Sequence, residues 1–156
     1  MRRLPATSAL IALTFLLLAA PTLGSGGPPP QSAAVVTLVT CHTGTSATDR
    51  YAVFRAQQKT TFPGDQMSLR FDLYRRTRIG SSFRAVRPPA GFGVWYTARR
   101  GIARFHKSVR ATRLALGDDY RVFVMYHWQD PRFSGPRRTR RGSDVCRQPV
   151  LRTSNR

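Results

Sequence analysis

Residues 114–128, LALGDDYRVFVMYHW, constrain the fold of this chain more than any other segment. The even-numbered positions from 120 to 128 carry only aromatic residues or valine. Successive residues of a strand point to opposite faces, so these even-numbered residues predict a β-strand whose even-numbered face is buried. Two leucines and Gly-Asp-Asp come before Tyr120, an order typical of a tyrosine corner, in which the phenol hydrogen-bonds to upstream backbone and fixes the turn between two sheets. The segment therefore predicts a β-sandwich with Tyr120 at a structural corner.

Other short segments of alternating residues favour the same fold class. The clearest are 51–59 and 66–75, each with one face expected in the core and the other in water. The residues expected to face the core are Ala52, Phe54, Ala56, Met67, Leu69, Phe71 and Leu73. Sandwiches often bury a tryptophan on a mid-chain strand, so Trp95 is also expected inside. About seven to eight short strands at this spacing predict an all-β, immunoglobulin-like antiparallel β-sandwich with one disulfide.

Phe123 and Met125 lie on the opposite, odd-numbered face of the segment 114–128. Large apolar side chains on a solvent-facing surface indicate that something covers them. We expect a loop to do so, and the alternative is contact with a second domain or a second copy.

The beginning of the chain has the layout of a secretory signal peptide, with two arginines, an apolar run at 9–20 and then proline and small residues. The run has 12 residues, whereas a membrane-spanning helix needs roughly 20, so we expect cleavage rather than a retained anchor. The product is expected to be secreted, extracellular or associated with the cell envelope, without stable membrane insertion. The expected organisation is a signal peptide at 1–24, a Gly/Pro-rich leader at 25–34, the immunoglobulin-like β-sandwich at 35–151 and a flexible tail at 152–156.

The chain has two cysteines, Cys41 and Cys146. In an exported protein a disulfide between them is the default, and it would join the first strand to the last. A catalytic thiol is the alternative, and it needs a histidine beside it in space. His42 is adjacent in sequence, but neighbouring residues of a strand point to opposite faces, so the disulfide is favoured.

The chain is strongly basic, with a formal net charge of +19. Removing residues 1–24 takes away two arginines and no acid, which leaves +17. Nearly all the cations are arginine, with two lysines and no glutamate in the whole chain. This balance indicates either an electrostatic footprint for a polyanion or a coding bias toward arginine without any partner.

A cluster of four arginines is the most direct candidate for binding. Residues 132–142 are expected to form a long loop at one end of the sandwich, where such folds carry recognition residues. Guanidinium groups suit phosphate and carboxylate, so the loop predicts binding of an anionic cell-envelope polymer, and nucleic acid is not favoured. The candidate anion-binding residues are Arg137, Arg138, Arg140 and Arg141.

No residue pattern predicts catalysis, a metal or a cofactor. His42, His106 and His127 have no metal-ligand spacing, and the sequence has no CxxC, HExxH, GxSxG, GxGxxG or Walker motif. The adjacent acids Asp118 and Asp119 are too few ligands for calcium. We therefore expect a non-catalytic module with a structural or interaction role in the cell envelope. The alternatives are polyanion binding through the arginine-rich loop, and a metal-dependent or hydrolytic enzyme with an unrecognised motif.

The chain carries the segments YAVFRAQQ, QMSLRFDLYRRT, GFGVWYTARRGIARFHKSV, LALGDDYRVFVMYHWQD and VCRQP. Together they resemble a group of uncharacterised secreted bacterial proteins with an immunoglobulin-like domain, often followed there by cell-adhesion-related immunoglobulin-like repeats. The likeness spans about residues 35–150. It implies an immunoglobulin-like fold and a Cys41–Cys146 disulfide, and it brings no catalytic or binding residues to this chain.

Overall fold

The computed structural model describes residues 27–77 and 80–150, and their secondary structure is almost entirely β. Nine strands lie in these ranges: β1 (Ala34–His42), β2 (Tyr51–Lys59), β3 (Gln66–Arg76), β4 (Arg84–Ala85), β5 (Trp95–Thr97), β6 (Arg104–Thr112), β7 (Asp119–Gln129), β8 (Arg137–Gly142) and β9 (Cys146–Arg147). A short 3-10 turn, Gln31–Ala33, precedes β1. No helix within the described ranges has the length and apolarity to cross a membrane.

The predicted signal peptide at 1–24 and the predicted tail at 152–156 lie outside the described residues. Part of the predicted leader, from residue 29 onward, packs against the sandwich. Pro29, Ala33 and Ala34 are all buried. The packed part of the chain therefore begins before residue 35.

The strands form two antiparallel sheets. The smaller sheet has the order β1-β2-β6, and the larger has the order β4-β3-β7-β8, with β5 also paired to β3 and β9 to β7. The chain crosses repeatedly between the sheets, as the Greek-key connections of an immunoglobulin-like sandwich do. The prediction of an all-β antiparallel fold is confirmed. The described ranges hold nine strands, compared with the seven to eight predicted. The numbers differ because β4 and β9 have only two residues each, too few to show an alternating pattern in the sequence.

One hydrophobic core lies between the sheets and is built mainly from β2, β3, β6 and β7. Along β7 the even-numbered residues from 120 to 128 are buried, none more than 5% exposed. Their partners on β3 are buried too, with Phe71 opposite Val124 and Leu73 opposite Val122. The predicted inward faces of these strands are confirmed. Burying each large apolar side chain stabilises the fold by about 1.5–3 kcal/mol relative to leaving it in water.

The prediction that Trp95 faces the core is wrong. β5 pairs with β3 so that Tyr96 lies opposite Leu69. Since Leu69 points inward, this register turns Tyr96 toward the core and Trp95 to the outer face, where Trp95 is 41% exposed. The fully buried tryptophan is Trp128.

Three buried polar side chains join the two sheets through hydrogen bonds to backbone carbonyls. The Tyr126 hydroxyl donates to Val35 O on β1 at 2.6 Å. The Trp128 indole N–H donates to the last carbonyl of β2 at 2.7 Å, and the Gln58 amide donates to a carbonyl of β7 at 2.6 Å. Each bond gives a buried donor a partner, which avoids the cost of an unsatisfied polar group. Burial also raises the pKa of Tyr126, so its phenol stays protonated.

A disulfide between Cys41 on β1 and Cys146 on β9 confirms the predicted pairing. It joins residues 105 positions apart, with 5.3 Å between their Cα atoms. Since β1 belongs to the smaller sheet and β9 to the larger, the disulfide links the two sheets as well as the two ends of the fold. Neither cysteine is a free thiol, which excludes the catalytic-thiol alternative for this state of the protein.

Tyr120 lies at the start of β7, where the corner is expected. Its hydroxyl accepts a hydrogen bond from the Ala115 N–H at 3.0 Å, five residues upstream. Gly117 lies between them with φ of +77°, a left-handed conformation that favours glycine. The phenol thus holds the turn that carries the chain from β6 in the smaller sheet to β7 in the larger one.

Candidate anion-binding face

The four arginines of the predicted loop lie on a strand. Residues 137–142 form β8, which pairs with β7 from Arg137 opposite Trp128 to Gly142 opposite Phe123. The loop prediction is wrong for these residues because a strand with so many arginines shows no alternation of apolar and polar side chains. The segment forms a strand because it pairs with the edge of β7, where the backbone N–H and C=O groups need hydrogen-bond partners.

The strand geometry divides the four arginines between two faces. Arg137 and Arg141 lie opposite core residues of β7, whereas Arg138 and Arg140 lie opposite outward-facing ones. The structure therefore brings two of the four together on the outer face and separates the other two from them. The four side chains do not form a single site.

Arg137 forms a buried ion pair with Asp65, with 2.6 Å between the charged atoms. Asp65 is 2% exposed and also accepts hydrogen bonds from the backbone N–H groups of Thr61 and Phe62, both at 2.9 Å. Burial alone would raise the pKa of Asp65, but these hydrogen bonds and the Arg137 guanidinium hold it below its usual value. Because its charge is neutralised inside the fold, Arg137 is a structural residue rather than a contact for an external anion.

The exposed arginines of β8 belong to a larger surface, the outer face of the larger sheet, which we call the basic face. It consists of side chains that β3, β5, β7 and β8 turn away from the core. Its members are Arg70, Asp72, Tyr74, Trp95, Arg121, Phe123, Met125, His127, Arg138 and Arg140. Four arginines and one aspartate give this set a net charge of +3 when its histidine is neutral. The aspartate pairs with Arg70 at 3.1 Å.

Two arginines of the basic face are positioned over the same aromatic ring. Arg140 Cζ lies 3.9 Å from the centroid of the Phe123 ring, and Arg121 Cζ lies 4.4 Å from it. The Arg140 guanidinium also donates to the Tyr74 hydroxyl at 3.0 Å. These contacts restrict the long side chains while their charged ends stay near water. Guanidinium groups held in this way lose less conformational entropy when they bind an anion.

A second aromatic cluster lies further along the basic face. The rings of Trp95 and His127 have centroids 4.1 Å apart, and Arg70 Cζ lies 5.2 Å from the Trp95 ring. Burial lowers the pKa of His127, and the charges of Arg138 and Arg70 lower it further. At neutral pH His127 is therefore an uncharged ring that packs against Trp95 without adding to the positive charge.

Phe123, expected beneath a loop, lies beneath neighbouring side chains. The rings of Tyr74 and Phe123 meet edge to face with centroids 5.0 Å apart, and Arg121 and Arg140 lie over the Phe123 ring. A guanidinium group over a ring covers its face and is attracted to it by a cation–π interaction. The arrangement explains how a large apolar residue is accommodated on this outer face.

The outer face of the smaller sheet is also basic, but it lacks this aromatic support. Its cations are Arg55, Lys59, Arg104 and Arg110. Among the contacts of the described residues, only Arg110 in this group lies over a ring, with its Cζ 3.7 Å from the centroid of Tyr51. The two outer faces therefore carry similar charge and differ in how firmly that charge is positioned.

The basic face was missed by sequence reasoning because its residues come from four separate strands. Each strand contributes one to four members, and no single segment contains a recognisable cluster. One signal was present in the sequence: Phe123 and Met125 are too apolar for a strand face covered by water alone.

The acids of the described part of the chain do not form a cluster that could bind a metal. In residues 27–77 and 80–150, no group of three His, Cys, Asp or Glu side chains is placed to hold a metal ion. Asp118 and Asp119, the pair considered for calcium, each contact arginine instead. Asp118 pairs with Arg75 at 3.7 Å, and Asp119 pairs with Arg147 at 3.2 Å.

The fold and this surface define a class: a disulfide-closed antiparallel β-sandwich that presents arginines over aromatic rings on the outer face of its larger sheet. Comparison of the chain with protein-family models, with curated proteins and with solved structures finds no match. The chemistry of the basic face is therefore the basis for inferring what the protein does.

Proposed function

We propose that the protein is a secreted, non-catalytic β-sandwich module that binds an anionic polymer of the cell envelope through the basic face. The proposal rests on the placement of Arg121 and Arg140 over Phe123, which positions two guanidinium groups on a solvent-facing sheet. Guanidinium groups form strong paired hydrogen bonds with phosphate and carboxylate. Secretion and the likeness to the secreted bacterial group stay predictions.

The shape of the basic face suits a polymer better than a small anion. Neighbouring strands are about 4.8 Å apart, so its arginines extend about 10 Å across β3, β7 and β8. Small molecules bind in clefts that bury most of their surface, whereas this is the open side of a sheet. A chain of repeated charges contacts several arginines at once and gains affinity from each additional contact.

The positions of the acids strengthen the positive field of the surface. The chain has seven acids, and Asp65, Asp118, Asp119 and Asp130 are buried. Each of these four pairs with an arginine, so little negative charge is left to offset the other arginines. A surface field of one sign steers an oppositely charged partner toward the protein.

Retention on an immobilised anionic polymer across a salt series tests the proposal. Two matched variants each remove three charges: R121Q/R138Q/R140Q on the basic face and R55Q/R104Q/R110Q on the outer face of the smaller sheet. We expect the wild type and the second variant to bind at low salt and to be released as salt rises, because ionic contacts are screened. The basic-face variant should bind more weakly, on the order of a hundredfold, since each exposed ionic contact contributes up to about 1 kcal/mol.

Equal weakening by the two variants would show that net charge alone drives binding and would remove the role of the basic face. Binding that ignores added salt would remove the ionic mechanism altogether. The remaining alternative is a metal-dependent or hydrolytic enzyme, and in its metal-dependent form it predicts a thermal shift with a divalent cation and none with polymer.

A further inference from the structure

Three arginines line the outer side of β8, the edge strand of the larger sheet. The outward positions of this strand are 138, 140 and 142. Arg138 and Arg140 occupy the first two, and the third is Gly142, which has no side chain. The guanidinium of Arg121 takes its place: a Cβ atom added at residue 142 would lie 3.2 Å from Arg121 Cζ and would overlap a terminal nitrogen of the same group.

The outward backbone positions of β8 repeat at about the interval of a stretched phosphodiester chain. Alternate residues on one face of a strand are about 6.8 Å apart, since each residue rises about 3.4 Å. Two residues contain six backbone bonds, and a glycerol phosphate repeat also has six bonds from one phosphorus to the next, so its stretched length is similar, roughly 7 Å. Successive phosphates can therefore follow the outward positions of β8 on a straight path, within reach of the long arginine side chains.

We propose that the row of Arg138, Arg140 and Arg121 binds consecutive phosphates of a flexible poly(polyol phosphate) chain. This inference rests on the proposed function and names the ligand class for the same face. Each guanidinium can donate two parallel hydrogen bonds to one phosphate. Gly142 is the residue that makes room for the third guanidinium, so its small size is a requirement of the row.

The rings of the basic face argue against nucleic acid as the ligand. Proteins that hold single strands stack the bases on open aromatic rings. Here the Phe123 ring is contacted by Arg121 and Arg140, and the Trp95 ring is contacted by His127. The phosphates of a nucleic-acid strand are also six bonds apart, so the covered rings, and not the spacing, distinguish the two ligands. A double helix fits less well still, because its phosphates follow a helical path.

A carboxylate polymer such as poly-glutamate is also a weaker match to the row. Its charges lie at the ends of flexible side chains, and those side chains lose rotamer freedom when they are held. In a polyol phosphate the charge is part of the backbone, so one ordered backbone brings all its phosphates into place together.

Gly142→Ala tests the row without changing the net charge. The added methyl group collides with the flexible end of Arg121 and lies 3.0 Å from the edge of the Phe123 ring, so the Arg121 guanidinium moves out of the row. Gly135→Ala is the matched control, because nothing lies within 4 Å of a Cβ atom added there. Binding is measured by calorimetry with poly(glycerol phosphate), single-stranded DNA and poly-glutamate of equal charge. We expect poly(glycerol phosphate) to bind tightest, G142A to weaken its binding about tenfold, equivalent to one lost contact, and G135A to leave it unchanged.

The outcomes separate this inference from the proposed function. Tighter binding of DNA or poly-glutamate would overturn the ligand class and leave polymer binding at the basic face in place. Equal binding of all three polymers with no effect of G142A would overturn the row. Failure of every polymer to bind would contradict the proposed function itself. If thermal melting shows that G142A is poorly folded, R138Q replaces it, since Arg138 is exposed and its substitution should weaken poly(glycerol phosphate) binding equally.

Discussion

Among the individual residues, the buried aspartates account for how such a basic chain folds. Asp65 and Arg137 are 72 positions apart in sequence, yet they meet in a buried ion pair. A buried charge without a partner is strongly unfavourable, whereas a pair that is also hydrogen-bonded is tolerated. Asp65 therefore neutralises Arg137 inside the fold, whereas the buried Arg50 donates instead to the backbone carbonyls of Leu114 and Thr45.

Asp65→Asn is expected to lower the free energy of unfolding by about 3–5 kcal/mol at pH 7, because Arg137 stays buried without its counter-ion. The pKa of Asp65 is lowered in the folded state. Its contribution is thus fully present above about pH 4, the unfolded value, and is lost as the pH falls through the folded-state pKa. Urea unfolding of both proteins from pH 7 downward should show the difference shrinking in acid. A difference that stays constant down to about pH 2 would contradict this account, and the exposed Asp144→Asn serves as control.

Among the elements, β7 has two tasks, one on each of its faces. It pairs with β3 along its whole length and with β8 and β9 on its other side. The inward side chains form the core, and the Tyr126 hydroxyl ties the strand to β1 in the opposite sheet. The outward side chains, Phe123 above all, support the basic face. Changes on one face should therefore affect stability and changes on the other should affect binding.

Tyr126→Phe is expected to lower the free energy of unfolding by about 1 kcal/mol, because the hydrogen bond from the Tyr126 hydroxyl to the Val35 carbonyl is lost. Polymer affinity measured on the folded variant should be unchanged. Tyr74→Phe is the matched control: it removes a hydroxyl from the basic face and should change stability by no more than about 0.5 kcal/mol. Chemical denaturation of the three proteins gives the comparison, and equal stability of Y126F and wild type would remove the stabilising role of this inter-sheet hydrogen bond.

For the whole molecule, the disulfide limits how far the chain can expand when it unfolds. Cys41 and Cys146 lie near the two ends of the described fold. The bond they form crosses from the smaller sheet to the larger, so it also opposes separation of the sheets. The basic face depends on this closure only indirectly, since none of its residues contacts the sulfur atoms.

C41S/C146S is expected to lower the free energy of unfolding by about 4–5 kcal/mol at most, the chain-entropy figure for a loop of roughly a hundred residues. A reductant should destabilise the wild type by a similar amount and leave the double variant unaffected. Thermal melting of both proteins with and without reductant makes the measurement. Equal melting temperatures under all four conditions would show that the disulfide does not contribute to the stability of the fold.

Local alternation was enough to predict the strands that build the core. A strand with one apolar face has only one way to bury it, so the inward residues of β2, β3 and β7 follow from the order of the letters. The pairing of the two cysteines could be predicted because the chain has only two, and the position of Tyr120 because the Gly-Asp-Asp turn lies directly before it.

The remaining features depend on which strand lies beside which, and a local pattern does not contain that information. β8 is a strand because β7 offers it an edge, although its own residues are mostly arginine. Trp95 points outward because β5 takes its register from β3. Arg121 enters the row only because Gly142 lies beside it across the sheet. In each case the structure is set by contacts between residues far apart in the chain, and the proposed binding surface consists of such contacts.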